Sequence, residues 1–356
     1  MTLIACLHPH QFRTLIADVL ISSEAISDMA VPTRAYIAPE ELRRMHLKPT
    51  TLRRKVIEIS PELVALWSGD YFKARVFAQR ATDWFRDAPV NEEALVGFLE
   101  AHYRQPVSNF WAIIVPSNNA NRFYYIGKVY RSSSPFAGEY LVAGQGQTIF
   151  KDMVDVMRPE EESPPDVAGL RIVNDLTARE IVTGEPLRAA FGGAYEVLYL
   201  SPNGFERVDD VMHAFALVKV STNIDVSHYS FVMRQWYEND QLCVFSQVTE
   251  TGGSQGLESA GFAIPSILGI KQKSIKTVEF LATRPQYLSI HHLFEIDEKT
   301  VPSPLILKGD SIDEFFNFGG DGRRISFEPK DIYYKCLRKK AAEIQNSLHS
   351  ERSRRN

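Results

Sequence analysis

The sequence of 356 residues contains few cysteines and no long apolar run, and both absences narrow the class of protein. Cys6, Cys243 and Cys336 lie far apart and form no CxxC pair, so the spacing predicts neither a disulfide framework nor a cysteine metal site. No stretch approaches roughly 18 consecutive apolar residues, which argues against a transmembrane helix. Asp18 interrupts the apolar run at residues 15–21, and we therefore expect no secretory signal.

The charge balance also lacks an excess of either sign. The chain has 40 Lys and Arg against 44 Asp and Glu, a net charge of −4, which gives no basic footprint for nucleic acid. The hydrophobic share of 44% and the charged share of 24% are typical of a folded globular chain. We expect a soluble, reduced, cytoplasmic protein that binds neither nucleic acid nor a membrane. At about 150 residues per domain, the length indicates two domains, or one core with a large extension.

Strand and helix patterns alternate in groups over the first 210 residues. Strand pairs are predicted at residues 2–7 with 14–17 and at 55–59 with 63–67, and further strands at 111–115, 123–129 and 140–143. Helices are predicted at 71–85, 91–103, 148–157 and 173–182. A closing hairpin is predicted at 194–200 with 205–208. Asn91 is a good N-cap for its helix. Residues 27–51, with three prolines, are predicted to form an exposed excursion, and residues 158–166 an acidic linker. The grouping predicts an α+β fold in which two stacked sheets carry helices outside, a four-layer αββα arrangement.

The last third of the chain has a different pattern. Strands are predicted at residues 214–220, 227–235, 241–248, 277–281 and 288–296, followed by a helix at 329–348 and a disordered tail at 351–356. A Gly/Ser-rich stretch at 251–256 interrupts these strands. We therefore predict a first domain at residues 2–212 and a β-rich extension at 213–356.

Thr2 is the first candidate catalytic residue. Met1 is normally removed when the next residue is this small, which would leave a threonine with a free α-amine. An α-amine has a pKa of about 7.7–8.0, so part of it is unprotonated at neutral pH and can act as a base. The hydroxyl of the same residue then becomes an activated nucleophile. The alternative is that Thr2 is simply the second residue of a cytoplasmic protein.

Three further residues can support a threonine nucleophile. Lys55 beside the hydroxyl would favour its ionised form, and Asp18 would hold the ammonium in place. The backbone N–H of Gly69 could donate to a developing oxyanion. Each has a plain structural alternative: Asp18 could cap a turn, Lys55 could be a solvated strand edge, and Gly69 could serve only a turn.

Together these positions resemble a known family. Three segments carry the resemblance: residues 2–18, 55–59 (KVIEI) and 66–70 (LWSGD). They are similar to the catalytic β subunits of the proteasome and to the bacterial HslV peptidase, which are N-terminal nucleophile hydrolases. That family has a threonine at its mature N-terminus, an aspartate sixteen positions later, and a lysine fourteen residues before a glycine. Thr2, Asp18, Lys55 and Gly69 keep those spacings.

The resemblance extends more weakly to residue 212. Residues 142–146 resemble the family's Gly-Ser-Gly turn, residues 177–181 (TAREI) resemble an HslV helix, and residues 192–205 resemble its closing hairpin. Gln145 replaces the serine that supports the α-amine in the family. Arg188 or Ala189 falls where the family has a later supporting aspartate.

The resemblance implies a fold, an activity and partners. It implies the N-terminal nucleophile hydrolase sandwich and a threonine peptidase that forms an acyl-enzyme on Thr2. Lys55, Asp18, Gly69 and Gln145 would be the other site residues, with no cofactor and no metal. It also implies a peptide or protein substrate, a ring-like homo-oligomer and a possible unfolding ATPase partner. Two alternatives stay open, a catalytically silent scaffold of the same fold, used for assembly or binding, and a small-molecule amidase.

Overall fold

The computed structural model describes most of the chain. The described residues are 2–8, 13–23, 31–33, 47–117, 123–158, 163–220, 224–226, 231–248, 258–269, 281, 283–296, 299–319 and 325–355. They form helices and mainly antiparallel sheets, so the expected α+β class is confirmed. None of the helices in these ranges is both long and apolar enough to cross a membrane.

The chain divides into two compact units. The first comprises Met1–Val208, Tyr237–Cys243 and Ala263–Lys273; the second comprises Asp209–Trp236, Val244–Phe262 and Ser274–Asn356. The first boundary therefore falls slightly before the predicted residue 212. Two later segments, which the sequence analysis assigned to the extension, belong to the first unit.

A six-stranded antiparallel sheet forms one half of the first unit. Its strands, in spatial order, are β12 (Gly204–Arg207), β11 (Tyr195–Ser201), β2 (Thr14–Asp18), β1 (Leu3–Leu7), β10 (Gly138–Gly144) and β9 (Tyr130–Ser134). Strands β1 and β2 are buried at every position, which explains why they read as continuous apolar runs rather than alternating ones.

A second, four-stranded sheet pairs β5 (Val56–Ser60), β6 (Leu63–Gly69), β7 (Phe110–Pro116) and β8 (Tyr124–Ile126). Successive side chains of β6 point to opposite faces. Ala65 and Trp67 therefore join one apolar cluster, whereas Val64 and Leu66 join another. The second cluster also contains Ile4 and other side chains of the six-stranded sheet, so the two sheets face each other across it.

Two helices pack against the other face of the four-stranded sheet. They are α1 (Tyr71–Phe85) and α2 (Glu92–Tyr103). Asp70 caps α1 by accepting from two backbone N–H groups, and Asn91 caps α2 as predicted. Both helices bury apolar side chains, among them Phe77 and Phe98, in the cluster that contains Trp67.

Three helices follow β10, and two of them pack against the six-stranded sheet. They are α3 (Gln147–Val156), α4 (Pro165–Thr183) and α5 (Glu185–Arg188). Helix α3 contacts β9 and β10, and α4 contacts β2 and β11. Helix α4 begins at Pro165 rather than at the predicted residue 173, because proline at the first helical position has the required φ and needs no hydrogen bond there.

The predicted excursion at residues 27–51 lies mainly outside the described residues. Its described part differs from the prediction, because Val31 and Thr33 are buried. Near its end, β4 (Lys48–Leu52) pairs with β3 (Leu20–Ser23), which continues the chain beyond β2.

The second unit carries most of a seven-stranded sheet. Its strands are β13 (Val211–Val220), β14 (Ile224–Val226), β15 (Phe231–Glu238), β16 (Gln241–Val248), β17 (Glu258–Pro265), β18 (Tyr287–Ile296) and β19 (Lys299–Lys308). Strands β13 and β18 are parallel, a pairing for which the sequence pattern predicted no direction. Of the strand predicted at 277–281, only Leu281 lies among the described residues.

The remaining elements of the second unit are short, except for the last helix. They are α6 (Ser311–Phe315), the pair β20 (Phe316–Gly319) and β21 (Ser326–Pro329), and α7 (Asp331–Arg355). Helix α7 continues past residue 348 into the tail that was predicted to be disordered, because this stretch contains no glycine or proline and several good helix formers. On α7, the Tyr333 hydroxyl lies 2.7 Å from His292 Nε2.

Candidate active site

Thr2 lies immediately before β1 and is fully buried. Its carbonyl oxygen accepts a hydrogen bond from Gly146 N–H (3.3 Å) in the turn between β10 and α3. Gly144, at the end of β10, has φ +99°, and a Cβ there would clash with the same carbonyl oxygen. This position therefore requires glycine, both for its backbone angle and for its closeness to Thr2.

Asp18 ends β2 next to the start of β1. The register pairs Ile4 with Ala17, which brings Asp18 beside Leu3. Asp18 Oδ1 accepts from Leu3 N–H (2.7 Å), and Oδ2 accepts from the N–H groups of Leu20 (3.1 Å) and Gly192 (3.0 Å). The bond to Leu20 is the local turn contact that the plain reading of Asp18 predicted. It coexists with long-range contacts that such a turn does not need.

Lys55 directly precedes β5 and is fully buried, so it is not a solvated strand-edge residue. Its ammonium donates to Asp18 Oδ1 (2.6 Å) and to the Leu20 carbonyl oxygen (2.5 Å). Burial lowers the pKa of Lys55 to about 8, although the charge and hydrogen bond of Asp18, and the charge of Glu196, act in the opposite direction. A lysine with this pKa keeps its charge at neutral pH but can lose it within the physiological range.

One carboxylate oxygen links Lys55 to the backbone that follows Thr2. Asp18 Oδ1 accepts both from the Lys55 ammonium and from Leu3 N–H. The structure thus brings Asp18 and Lys55 into contact and holds the pair at the peptide group next to Thr2. A buried positive charge in this position can stabilise negative charge that develops nearby.

Gly69 ends β6 with φ +98°, and a Cβ there would clash with the Asn109 carbonyl oxygen. Its glycine is therefore needed for the turn, as the plain alternative proposed. Two residues earlier, Trp67 N–H donates to the Lys55 carbonyl oxygen (3.1 Å). In a regular strand, N–H groups two residues apart point to the same side, so we expect the Gly69 N–H on the Lys55 side of β6.

Gln145 lies in the turn after β10, and its side chain is exposed. Its neighbour Gly146 makes the backbone contact to Thr2. The hydrogen bonds that Asp18 accepts come from Leu3, Leu20, Lys55 and Gly192. Arg188, at the end of α5, is also exposed.

Ser68 is a site residue that the sequence analysis did not identify. The Thr2 hydroxyl donates a hydrogen bond to Ser68 Oγ, and both residues are fully buried. Ser68 lies on the same face of β6 as Val64 and Leu66, which pack between the two sheets. A serine at the end of an apolar face was the available signal, because a buried hydroxyl requires a partner.

Glu180 on α4 is a second residue that the sequence analysis did not identify. It is fully buried, accepts from Gly193 N–H (2.9 Å) and Tyr195 OH (3.3 Å), and also bonds to the Thr33 hydroxyl. Burial is the main reason that the pKa of Glu180 is raised to about 7, and the nearby charge of Asp18 adds to it. Neighbouring amides, those of Gly192 and Gly193, thus bind two different buried carboxylates.

Comparison with known proteins adds no relative. The chain matches no model of a protein family, and no match to it is found among curated proteins. Among the described residues, no group of three or more His, Cys, Asp or Glu side chains is arranged to hold a metal ion. The inference about function depends therefore on the geometry around Thr2.

Proposed function

We propose that this protein is an N-terminal-threonine hydrolase that cleaves amide bonds through an acyl-enzyme on Thr2 after removal of Met1. The observation that carries the proposal is the buried Lys55–Asp18 pair, whose shared oxygen also accepts from the N–H following Thr2. A buried ammonium is costly unless it is paired, and such groups cluster at functional sites. Here its partner also accepts from the peptide N–H that directly follows the candidate nucleophile.

The layering of the first unit supports the same proposal. Helices α1 and α2 cover one sheet, α3 and α4 contact the other, and the two sheets share an apolar cluster. This order supports the αββα sandwich that the resemblance to the proteasome β subunits and HslV implies. We infer that the first unit has the N-terminal nucleophile hydrolase fold.

The proposed reaction uses only groups of this chain and water. The Thr2 hydroxyl attacks the substrate carbonyl carbon and its proton passes to the α-amine of the same residue. Gly69 N–H stabilises the negative oxygen of the tetrahedral intermediate. The Lys55 ammonium stabilises the ionised hydroxyl of Thr2. The α-ammonium returns the proton to the leaving amine, which leaves an ester on Thr2. Water then hydrolyses the ester and regenerates the hydroxyl.

The proposed substrate and assembly follow from the same resemblance. We infer a peptide or protein substrate and a homo-oligomeric ring, with an unfolding ATPase as a further candidate partner. Native mass measurement distinguishes a ring from a monomer. Activity on acylated small amides without activity on peptides would favour a small-molecule amidase instead.

One observation favours a second candidate function, a catalytically silent scaffold. The exposed Gln145 stands where the resemblance has a serine that supports the α-amine. A scaffold would keep the fold and the buried ion pair for stability, while the base at residue 2 would lack its supporting group.

The decisive experiment compares the wild type with Thr2→Ala, Thr2→Ser and Thr14→Ala. Thr14 is the matched control, because it is a buried threonine on β2 whose hydroxyl bonds to the Pro165 carbonyl oxygen (3.1 Å). The N-terminal mass is measured, and each protein is incubated with an electrophilic peptide probe. We expect the wild type to lack Met1 and to be labelled at Thr2. Thr14→Ala should be labelled at the wild-type rate, Thr2→Ser more slowly, and Thr2→Ala not at all.

Two results would contradict the hydrolase proposal. Retention of Met1 in the purified protein would block the α-amine, and a wild type that is never labelled at Thr2 would lack an active nucleophile. Either result would favour the silent scaffold.

A further inference from the structure

A buried carboxylate of β11 holds the backbone at Lys55. Glu196 Oε2 accepts from the N–H groups of Lys55 (2.9 Å) and Val56 (3.2 Å), and Oε1 accepts from Arg54 Nε (2.7 Å). The side chains of Glu196 and Arg54 are 0% and 1% exposed, respectively. Lys55 therefore lies between two buried carboxylates, with Asp18 at its ammonium and Glu196 at its backbone.

The two terminal nitrogens of Arg54 have different partners: Nη1 reaches a turn between β15 and β16, and Nη2 reaches Glu58 on β5. Arg54 Nη1 donates to the carbonyl oxygen of Asp240 (3.0 Å) and to its Oδ1 (2.6 Å), and Nη2 donates to Glu58 Oε1 (3.0 Å). The guanidinium carbon lies 4.9 Å from the centre of the Tyr237 ring. Each edge of the buried guanidinium therefore has a partner, as its burial requires.

Tyr237 connects the same groups a second time. Its hydroxyl donates to Glu196 Oε1 (3.3 Å), and its ring also lies 4.8 Å from the guanidinium carbon of Arg207. Arg207 Nε in turn donates to Glu58 Oε1 (2.8 Å). Cation–π contacts gain strength when the charge is shielded from water, as it is for Arg54, which is 1% exposed.

The turn at residues 237–240 belongs to the first unit, although it lies beyond residue 212, where the family resemblance ends. Asn239 and Asp240 have φ +48° and +60°, the conformation that short polar residues adopt in tight hairpin turns. A second late segment adds the Pro265 carbonyl oxygen, which accepts from Arg54 N–H (3.1 Å).

We propose that the turn at residues 237–240 is a positioning element for Lys55: it fixes Arg54 and Glu196, and Glu196 fixes the backbone from which the Lys55 ammonium reaches Asp18. The inference rests on the proposed function and assigns a role to part of the predicted extension. Tyr237 and Asp240 are positioning residues, because they act on the lysine through Arg54 and Glu196.

Two charged groups act on the Lys55 ammonium from the neighbouring elements. Asp18 on β2 contacts it directly, and the negative charge of Glu196 on β11 also raises the pKa of Lys55. Replacing Glu196 by glutamine keeps an oxygen acceptor for the backbone but removes that charge. We therefore expect Glu196→Gln to lower the pKa of Lys55 and to move the alkaline limb of its activity to lower pH.

The experiment compares Asp240→Gly and Asp240→Asn in the full chain. Glycine tolerates the positive φ but removes the side-chain acceptor, whereas asparagine keeps both the turn and an oxygen. Asp310→Gly is the matched control, because Asp310 is an exposed aspartate that pairs with Arg284 (3.0 Å) in the second unit. The rate of Thr2 labelling by the peptide probe is measured against probe concentration and pH. The pKa of the Lys55 amine is measured by NMR on lysine-labelled protein, assigned with Lys55→Met.

We expect Asp240→Gly to lower the maximal labelling rate by up to about 100-fold, as small misplacements of catalytic groups can, with probe affinity unchanged. Asp240→Asn should restore most of the rate, and Asp310→Gly should match the wild type. Wild-type rates and pH profiles in Asp240→Gly would overturn the proposal.

The NMR measurement separates this inference from the proposed function. If the wild type is never labelled, the hydrolase proposal fails. The NMR resonance of the Lys55 amine alone then tests the positioning role of the turn. A changed Lys55 shift in Asp240→Gly, together with a lowered pKa in Glu196→Gln, would then support the positioning role. An unchanged resonance in both variants would overturn it.

Discussion

Replacing Asp18 by asparagine tests the centre of the proposed site, because one carboxylate there accepts four hydrogen bonds. Oδ1 accepts from Leu3 N–H and the Lys55 ammonium, and Oδ2 accepts from the N–H groups of Leu20 and Gly192. Asparagine keeps the shape but has one acceptor oxygen and one NH₂ group. Two of the four donors would therefore face another donor, and the buried ammonium would lose its counter-charge.

The expected cost of Asp18→Asn follows from burial of that ammonium. Removing one partner of a buried ion pair costs about 3–5 kcal/mol. Burial already lowers the pKa of Lys55 from 10.5 to about 8 with Asp18 present, so the ammonium would be less favourable still without its counter-charge. We expect Asp18→Asn to lower the free energy of unfolding by about 3–5 kcal/mol at pH 7.

The pH dependence of this loss has a definite sign. Because the pKa of Lys55 is lower in the folded than in the unfolded state, the unfolded state binds more protons between about pH 8 and pH 10.5. Stability from this group therefore rises with pH across that window. In Asp18→Asn the folded-state pKa falls further, so the rise begins at lower pH. The part of the loss that comes from the ammonium should thus shrink once the amine is neutral in both folded proteins.

Urea unfolding at pH 7 and pH 9 measures the effect. Asp83→Asn is the control, because Asp83 forms an exposed pair with Arg86 and its loss should cost less than about 1 kcal/mol. Lys55→Met should cost less than Asp18→Asn, since the carboxylate keeps three backbone donors. A free energy of unfolding for Asp18→Asn within about 0.5 kcal/mol of the wild type would refute the reasoning, because surface substitutions have effects of that size.

Three further predictions follow from the same structure. Ser68→Ala should slow the labelling of Thr2 about tenfold at unchanged probe affinity, because the variant loses one buried hydrogen bond and about 1.4 kcal/mol corresponds to a factor of ten in rate. Equal labelling rates in the variant and the wild type would show that Ser68 is not part of the site. Gly144→Ala should lower the free energy of unfolding in urea by more than about 2 kcal/mol, because residue 144 has a positive φ and the new Cβ would clash with Thr2. Gly319→Ala is the control and should lower it by less than about 1 kcal/mol, because a Cβ at Gly319 has no atom within 4 Å. Burial lowers the pKa of three histidines of the second unit from the usual 6.5. The pKa is about 4 for His213 and His291 and about 3 for His292. Since the unfolded state binds more protons below about pH 6.5, stability should fall as the pH decreases from 6.5 to 4, and replacing His213 by glutamine should flatten that fall.

The contact of Asp18 with the start of β1 could be predicted from the sequence. The two strands are short, apolar and close together in the sequence, so the pattern predicts a hairpin that places residue 18 near residue 3. The contact between Asp18 and Lys55 joins two different sheets. No local pattern determines how two sheets stack, so the residues alone left that contact open beside its plain alternatives, and the family resemblance favoured it.

Glu196 is a buried residue that the sequence analysis did not identify, although the sequence contained a signal for it. It interrupts the apolar strand Tyr195–Ser201, and a charged residue inside a buried strand requires a partner. The sequence indicates the need but not the partner, since Arg54 lies far away along the chain. The parallel pairing of β13 and β18 could not be predicted for the same reason: nearly seventy residues separate the strands, and the side-chain pattern is equally compatible with either direction.

The partners of Arg54 explain why the first unit does not end at residue 212. The predicted boundary followed the length of the family resemblance, and a chain cut there would lack Tyr237, Asp240 and the Pro265 carbonyl oxygen. Arg54 would then keep Glu196 and Glu58 but lose the acceptors for Nη1 and for its own N–H. Each buried donor left without an acceptor costs about 1–3 kcal/mol, and more when it is charged. Two such donors would cost about 2–6 kcal/mol, a large share of a typical domain stability of about 5–15 kcal/mol, which agrees with the late segments belonging to the first unit.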